Sequence, residues 1–136
     1  MGATPERGRK SVRSARPTQT TTVATETTMI HETLTYTVPS SAVPACRQAI
    51  RELVERVREE EPHTALYTVL EDVRNDEATF LHLAAFENHE ARIRHRESEA
   101  LRMFTDLVYP ATADGMHMSE QKVVDRLPDR AVRVRP

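Results

Sequence analysis

Residues 65–86 read Ala-Leu-Tyr-Thr-Val-Leu-Glu-Asp-Val-Arg-Asn-Asp-Glu-Ala-Thr-Phe-Leu-His-Leu-Ala-Ala-Phe. Ala65–Leu70 and Thr79–Phe86 are short, rich in β-branched and aromatic side chains, and separated by a polar stretch, Asp72–Glu77, that contains Asn75-Asp76. That pattern predicts two strands joined as a hairpin. Phe80, His82, Ala84 and Phe86 share one face of the second strand, because side chains alternate across a strand. Both parities carry apolar groups: Leu66 and Leu70 oppose Tyr67 and Val69, and Leu81 and Leu83 oppose Phe80 and Phe86. One covering layer buries only one of these faces. A second apolar face implies a partner, so the sheet is expected to pack against that of a second copy in a homodimer.

Upstream of the hairpin, Ile30, Leu34, Tyr36 and Val38 alternate with His31, Thr33, Thr35 and Thr37, which predicts a strand over Met29–Val38. After Pro39-Ser40-Ser41 the period changes. Val43, Cys46, Ile50, Leu53, Val54 and Val57 fall on one arc of a helix, and the residue before Pro62 ends it. Downstream, Glu87–Val108 is helical but not as one stripe, since Ala91 and His95 fall nearly opposite Phe104 on a continuous wheel. A break near Ser98 resolves the conflict, with Asn88 and Ser98 as caps of the two pieces. Pro110 ends the second piece. Met116–Val124, reached through Asp114-Gly115, is the last strand. The order β-α-β-β-α-β predicts an α+β ferredoxin-like sandwich, one antiparallel sheet with its helices on one face.

The chain has 136 residues, 19 Lys and Arg, 21 Asp and Glu, and a formal net charge of −2. Its charge is uneven. Residues 1–28 hold five Lys/Arg, two acids and eight Thr, a net +3, which leaves −5 for the rest. A segment so poor in large apolar side chains does not offset its ordering entropy. Residues 1–28 are therefore expected to be disordered, 29–127 to form one domain, and 128–136 to be loose. Met29 is an alternative start, with the tail as upstream sequence. No apolar run reaches the ~20 residues of a membrane span, and Arg7–Arg16 lacks the apolar stretch of a secretory signal, so a cytoplasmic location without membrane contact is expected. The acidic domain has no basic stripe for nucleic acid. Cys46 is the single cysteine, which excludes an internal disulfide and a cysteine-based zinc site. The histidines show no metal-ligand spacing, and no Gly-rich phosphate loop is present.

Glu61-Pro62-His63-Thr64-Ala65-Leu66-Tyr67 resembles a “glutamate, proline-glycine, then strand” motif. Phe86-Glu87-Asn88-His89-Glu90-Ala91-Arg92-Ile93-Arg94-His95-Arg96-Glu97-Ser98 resembles an “aromatic, acid or amide, Ala, three residues, His, two residues, Ser” signature. Phe104, Pro110 and Gly115 follow in register. These motifs resemble the antibiotic biosynthesis monooxygenase domain of the dimeric α+β barrel superfamily, over about residues 29–126. The resemblance implies a ferredoxin-like protomer, a homodimer whose sheets form a barrel, and a ligand pocket between helices and sheet. It also implies a cofactor-independent monooxygenase acting on an electron-rich quinol, aromatic or polyketide-like molecule. Two departures stand out: Phe86 where Trp is frequent, and His63 where Gly is common. Without any Trp, the Asn–Trp–His set of haem degraders is missing.

His95 matches the family histidine and is the candidate catalytic base, because a neutral imidazole beside apolar groups can take a proton from a phenol near neutral pH. The competing role is a structural histidine. Tyr67, His82, Tyr36, Phe86, Ser98 and Phe104 are the candidate substrate-binding residues. His82 either lines a cavity or is a structural histidine hydrogen-bonded across the dimer. Arg92–Glu99 reads as a solvated helix face. The chemistry requires no metal and no cofactor. The alternatives are a non-catalytic small-molecule-binding or stress-associated dimer and, less in keeping with the residues, a haem degrader with His95 as axial ligand.

Overall fold

The computed structural model describes residues 29–128. The N-terminal tail 1–28, and all but the first residue of the C-terminal tail 128–136, lie outside the described residues. Strand β1 (Ile30–Pro39) runs through a 3-10 turn (Ser40–Ala42) into helix α1 (Val43–Glu60). Strands β2 (Thr64–Arg74) and β3 (Glu77–Phe86) follow, then helices α2 (His89–Arg96) and α3 (Glu99–Val108), a 3-10 turn (Tyr109–Ala111) and strand β4 (His117–Gln121). The sheet order is β2-β3-β1-β4, with every neighbouring pair antiparallel. This is the ferredoxin-like arrangement that the element order predicts.

The hairpin is longer than its side chains suggest. Pairing continues to Arg74 opposite Glu77, so the turn shrinks to Asn75-Asp76. Backbone hydrogen bonds, not side-chain polarity, set the strand ends. Asn75 takes φ 51, a left-handed conformation that Asn tolerates better than most residues. The last strand is shorter than expected. Gln121 already lies opposite His31, and β1 begins at Ile30, so β4 has almost no partner backbone left.

Side chains of β1 and β3 with even numbers face the helices. Tyr36, Val38 and Phe80 are buried there with Val43, Cys46, Ile50, Leu53 and Val57 of α1, and Phe86 with Ala91 of α2. The break between α2 and α3 falls where the wheel places it. The side chain of Asn88 accepts the Ala91 N–H, and that of Ser98 accepts the Leu101 N–H. The two pieces thus turn Ala91 and His95 inward separately from Ala100, Phe104 and Val108.

Candidate functional site

His82 sits mid-way along β3, 2% exposed, between two tyrosines. Its Nε2 lies 2.8 Å from the Tyr36 hydroxyl and its Nδ1 2.9 Å from the Tyr67 hydroxyl. The expectation of a histidine bonded across a dimer is corrected: both ring nitrogens find partners inside the protomer, because Tyr36 on β1 and Tyr67 on β2 flank β3 on the same face. Burial, helped by the neighbouring His95, pushes the His82 pKa down to about 4. The ring is therefore neutral at pH 7, with one N–H and one acceptor nitrogen.

The tautomer follows from satisfaction of buried groups. The Tyr36 hydroxyl has no partner other than His82 among the described residues and is itself buried. A stranded O–H costs free energy, so Tyr36 donates to Nε2. Nδ1 then carries the proton and donates to the Tyr67 oxygen. The Tyr67 O–H is left free to donate elsewhere. Burial first, and then the carboxylates of Glu61 and Glu32, hold Tyr67 well above the ordinary phenol range. Tyr36 is raised as well, chiefly by burial.

His95 reaches the same place from α2. Its Nδ1 lies 2.9 Å and 3.1 Å from the two carboxylate oxygens of Glu61. A carboxylate only accepts, so Nδ1 donates and Nε2 is the nitrogen available for chemistry. Glu61 Oε1 also accepts from the Thr64 hydroxyl at 2.8 Å, which fixes the carboxylate. The His95 ring packs between Tyr67 and Phe86, with ring centroids 5.2 Å and 5.4 Å away. A small cavity of about 20 Å³ lies between helices and sheet, bordered by Tyr67, His82, Phe86, His95, Leu101 and Met118. That volume holds about one water.

The candidate residues divide accordingly. His95, Tyr67, His82 and Phe86 border the cavity. Tyr36 lies beneath His82 and does not border it. Phe104 packs at a tilt against His82 and Tyr36, with ring centroids 5.3 Å and 6.1 Å away, without bordering the cavity. Ser98 is committed to capping α3.

Two acids escaped the sequence reading. Glu61 looks like the last residue of an acidic helix end, and only the tertiary structure brings it to His95. Glu32 had a legible signal: it is an acid on the apolar parity of β1. It is 6% exposed, borders the cavity, and pairs with Arg96 at 2.6 Å and Arg92 at 3.5 Å. The reading of Arg92–Glu99 as a solvated face is corrected for Arg92, which is largely buried between Glu32 and Glu120. Among the described residues no group of three or more His, Cys, Asp or Glu side chains is placed to hold a metal ion. No helix among them is long and apolar enough to cross a membrane.

Comparison with known proteins agrees with this architecture. No curated protein matches the chain in sequence. Among solved structures, a candidate antibiotic biosynthesis monooxygenase of Caulobacter crescentus CB15 superposes with a TM-score of 0.65 at 15% identity, covering 78% of this chain and 99% of that one. A conserved protein of Methanosarcina mazei Go1 gives 0.65 at 14% identity over 74% and 97% of the two chains. SnoaB, a cofactor-independent oxygenase of Streptomyces nogalater crystallised as a mutant, gives 0.62 at 13% identity over 74% and 98%. At these identities the likeness is one of fold. The sequence model for antibiotic biosynthesis monooxygenases matches residues 29–106, more than half of the chain. The chain belongs to the antibiotic biosynthesis monooxygenase family.

Proposed function

We propose that the protein is a cofactor-independent monooxygenase that oxygenates an electron-rich phenol, hydroquinone or anthrone by base catalysis. The observation that supports this most directly is the convergence of His95, held by Glu61 through Nδ1, and of a free Tyr67 O–H on one cavity. A base oriented by a carboxylate, facing a hydrogen-bond donor, suits removal of a proton from a weakly acidic substrate and capture of the resulting oxyanion.

In this reading His95 Nε2 takes a proton from an anthrone CH2 group, and the imidazolium is stabilised by Glu61. Tyr67 donates to the oxyanion of the enolate. The enolate passes one electron to O2, and the carbon radical and superoxide combine to form a C–O bond. His95 returns its proton to the peroxide, and loss of water leaves a carbonyl. The balance is CH2 plus O2 to C=O plus H2O, with the substrate as the only reductant. The His82–Tyr36 pair below Tyr67 fixes the direction of its hydroxyl.

Leu66 and Leu70 are 45% and 50% exposed on the sheet face opposite the helices. Leu81 and Leu83 are only partly buried beside them. Such a face supports a homodimer closed through the two sheets.

The test is oxygen uptake with a panel of hydroquinones and anthrones. His95→Ala is expected to slow turnover roughly 10²-fold or more, the worth of a positioned base, and Glu61→Gln to lower kcat by less. Equal rates in wild type and His95→Ala would make His95 structural. The second reading is a dimeric module without turnover: the cavity of about 20 Å³ has room for a water and not for an aromatic substrate as it stands. Ligand binding without oxygen uptake across the panel would select it.

A further inference from the structure

A cavity of about 20 Å³ has room for a water, so anything larger reaches His95 only if a wall moves. Helix α2 is the wall held least by apolar packing. Its one buried apolar side chain is Ala91, whereas α1 buries Ile50, Leu53 and Val57 among others and α3 buries Phe104 and Val108. Polar contacts hold α2 instead. Arg96 lies 2.6 Å and Arg92 3.5 Å from Glu32 on β1, Arg92 lies 3.1 Å from Glu120 on β4, and His95 is bound to Glu61. The helix is also a separate unit. Non-helical residues flank it on both sides, with Asn88 capping its start and Ser98 capping the next helix. A swing of α2 therefore breaks no helical hydrogen bond of α3.

We propose that α2 is a lid over the cavity and that Glu32 is its latch. Arg92 and Arg96 are about one turn apart on one helix face, and both meet the same buried carboxylate, which itself borders the cavity. One acid on the sheet thus fixes the helix that carries His95, and Glu32 is a positioning residue. Lifting α2 costs less than moving α3 for two reasons. The separated charges regain hydration that closing removed, which offsets much of the lost attraction. Closed α2 also keeps the Arg92 Nε–H buried with no hydrogen-bond partner among the described residues, and solvent satisfies it once the helix lifts. The apolar surface uncovered is Ala91 and the part of Phe86 that His95 covers. The lid does not rest on the monooxygenase reading, since any molecule larger than a water meets the same barrier.

The experiment reads opening of the full chain directly, without a substrate. Amide hydrogen exchange is followed for residues 93–96 of α2 and 53–57 of α1. Carbethoxylation by diethyl pyrocarbonate is followed by mass spectrometry at the buried His95, with the exposed His63 and His117 as references. Wild-type α2 is expected to exchange faster than α1 and with little dependence on sub-denaturing urea, because lifting a lid exposes little surface whereas α1 needs unfolding. Glu32→Gln is expected to speed α2 exchange and His95 modification about tenfold, and Arg96→Gln, at a half-exposed position, to act in the same direction. Arg56→Gln, which breaks ion pairs to Glu60 and Glu99 that do not involve α2, should change neither. Exchange of α2 that matches α1 in rate and urea dependence overturns the lid. Rates at α2 and His95 within twofold of wild type in both latch variants overturn the latch, and with it the proposal. Faster exchange without faster His95 modification also overturns it, because the helix then frays without uncovering the cavity. If Glu32→Gln fails to fold, Arg96→Gln decides by the same criteria.

Discussion

Acidification should destabilise this protein through His82. In the folded chain burial holds the ring neutral down to about pH 4, whereas the unfolded chain takes up a proton around the ordinary value of 6.5. Between those values the unfolded state binds more protons, so stability falls as pH falls. The contribution is complete above about pH 6.5. It is reduced by about 2 kcal/mol at pH 5 and by about 3 kcal/mol at pH 4, where it begins to level off, since each tenfold difference in proton affinity between the folded and unfolded chain is worth about 1.4 kcal/mol. The local cause is that an imidazolium has no acceptor nitrogen: protonation turns the Tyr36 hydroxyl, which donates to Nε2, from a partner into an unsatisfied buried group. The assay is urea unfolding at pH 7.5, 5.5 and 4.5 at one protein concentration, comparing wild type with His82→Gln, which keeps a donor and an acceptor without a titrating ring. Carboxylates titrate in both proteins, so the difference in slope isolates His82. Wild type should lose about 2 kcal/mol more than the variant by pH 4.5. Parallel pH profiles would refute the neutral, tyrosine-bridged ring.

Other outcomes follow from the same geometry. Leu70→Glu, on the sheet face away from the helices, should give a folded monomer by sedimentation if two copies meet there; an unchanged association state would remove that interface. Ser98→Ala should lower unfolding free energy by about 1 kcal/mol, read by denaturation, because its side chain accepts the Leu101 N–H at the start of α3; no loss would mean the cap is dispensable. Asn75→Val should cost about 1–2 kcal/mol, because a β-branched residue resists φ 51; an unchanged midpoint would argue that the hairpin turn relaxes.

The α2–α3 break shows how local rules became visible in the chain. Asn88 and Ser98 each sit where an oxygen can cap a first turn, and Ala91–His95 and Phe104 conflict on one wheel; both caps and the break are present. Strand ends were less legible, since Asp72–Arg74 look like turn residues and become strand only because β3 is there to pair with them. The acids of the site were least legible. Pro62 marks Glu61 as a helix end and a motif residue, but nothing along the chain says that this carboxylate meets His95 while Glu59 and Glu60 remain exposed.

The sequence by itself determined the order of elements, the helix-facing parity of β1 and β3, and the family, because periodicity, caps and motif spacing are properties of neighbours along the chain. The tertiary structure alone decided what each polar group meets. Glu61 and His95 are 34 residues apart, and Tyr36 and His82 are 46 apart. Sheet order and the angle of α2 bring them within hydrogen-bond reach. Hydrogen-bond direction, tautomer and pKa depend on atoms a few ångströms away in space, and so the base, its orienting carboxylate and the neutral histidine emerge only when the chain is folded.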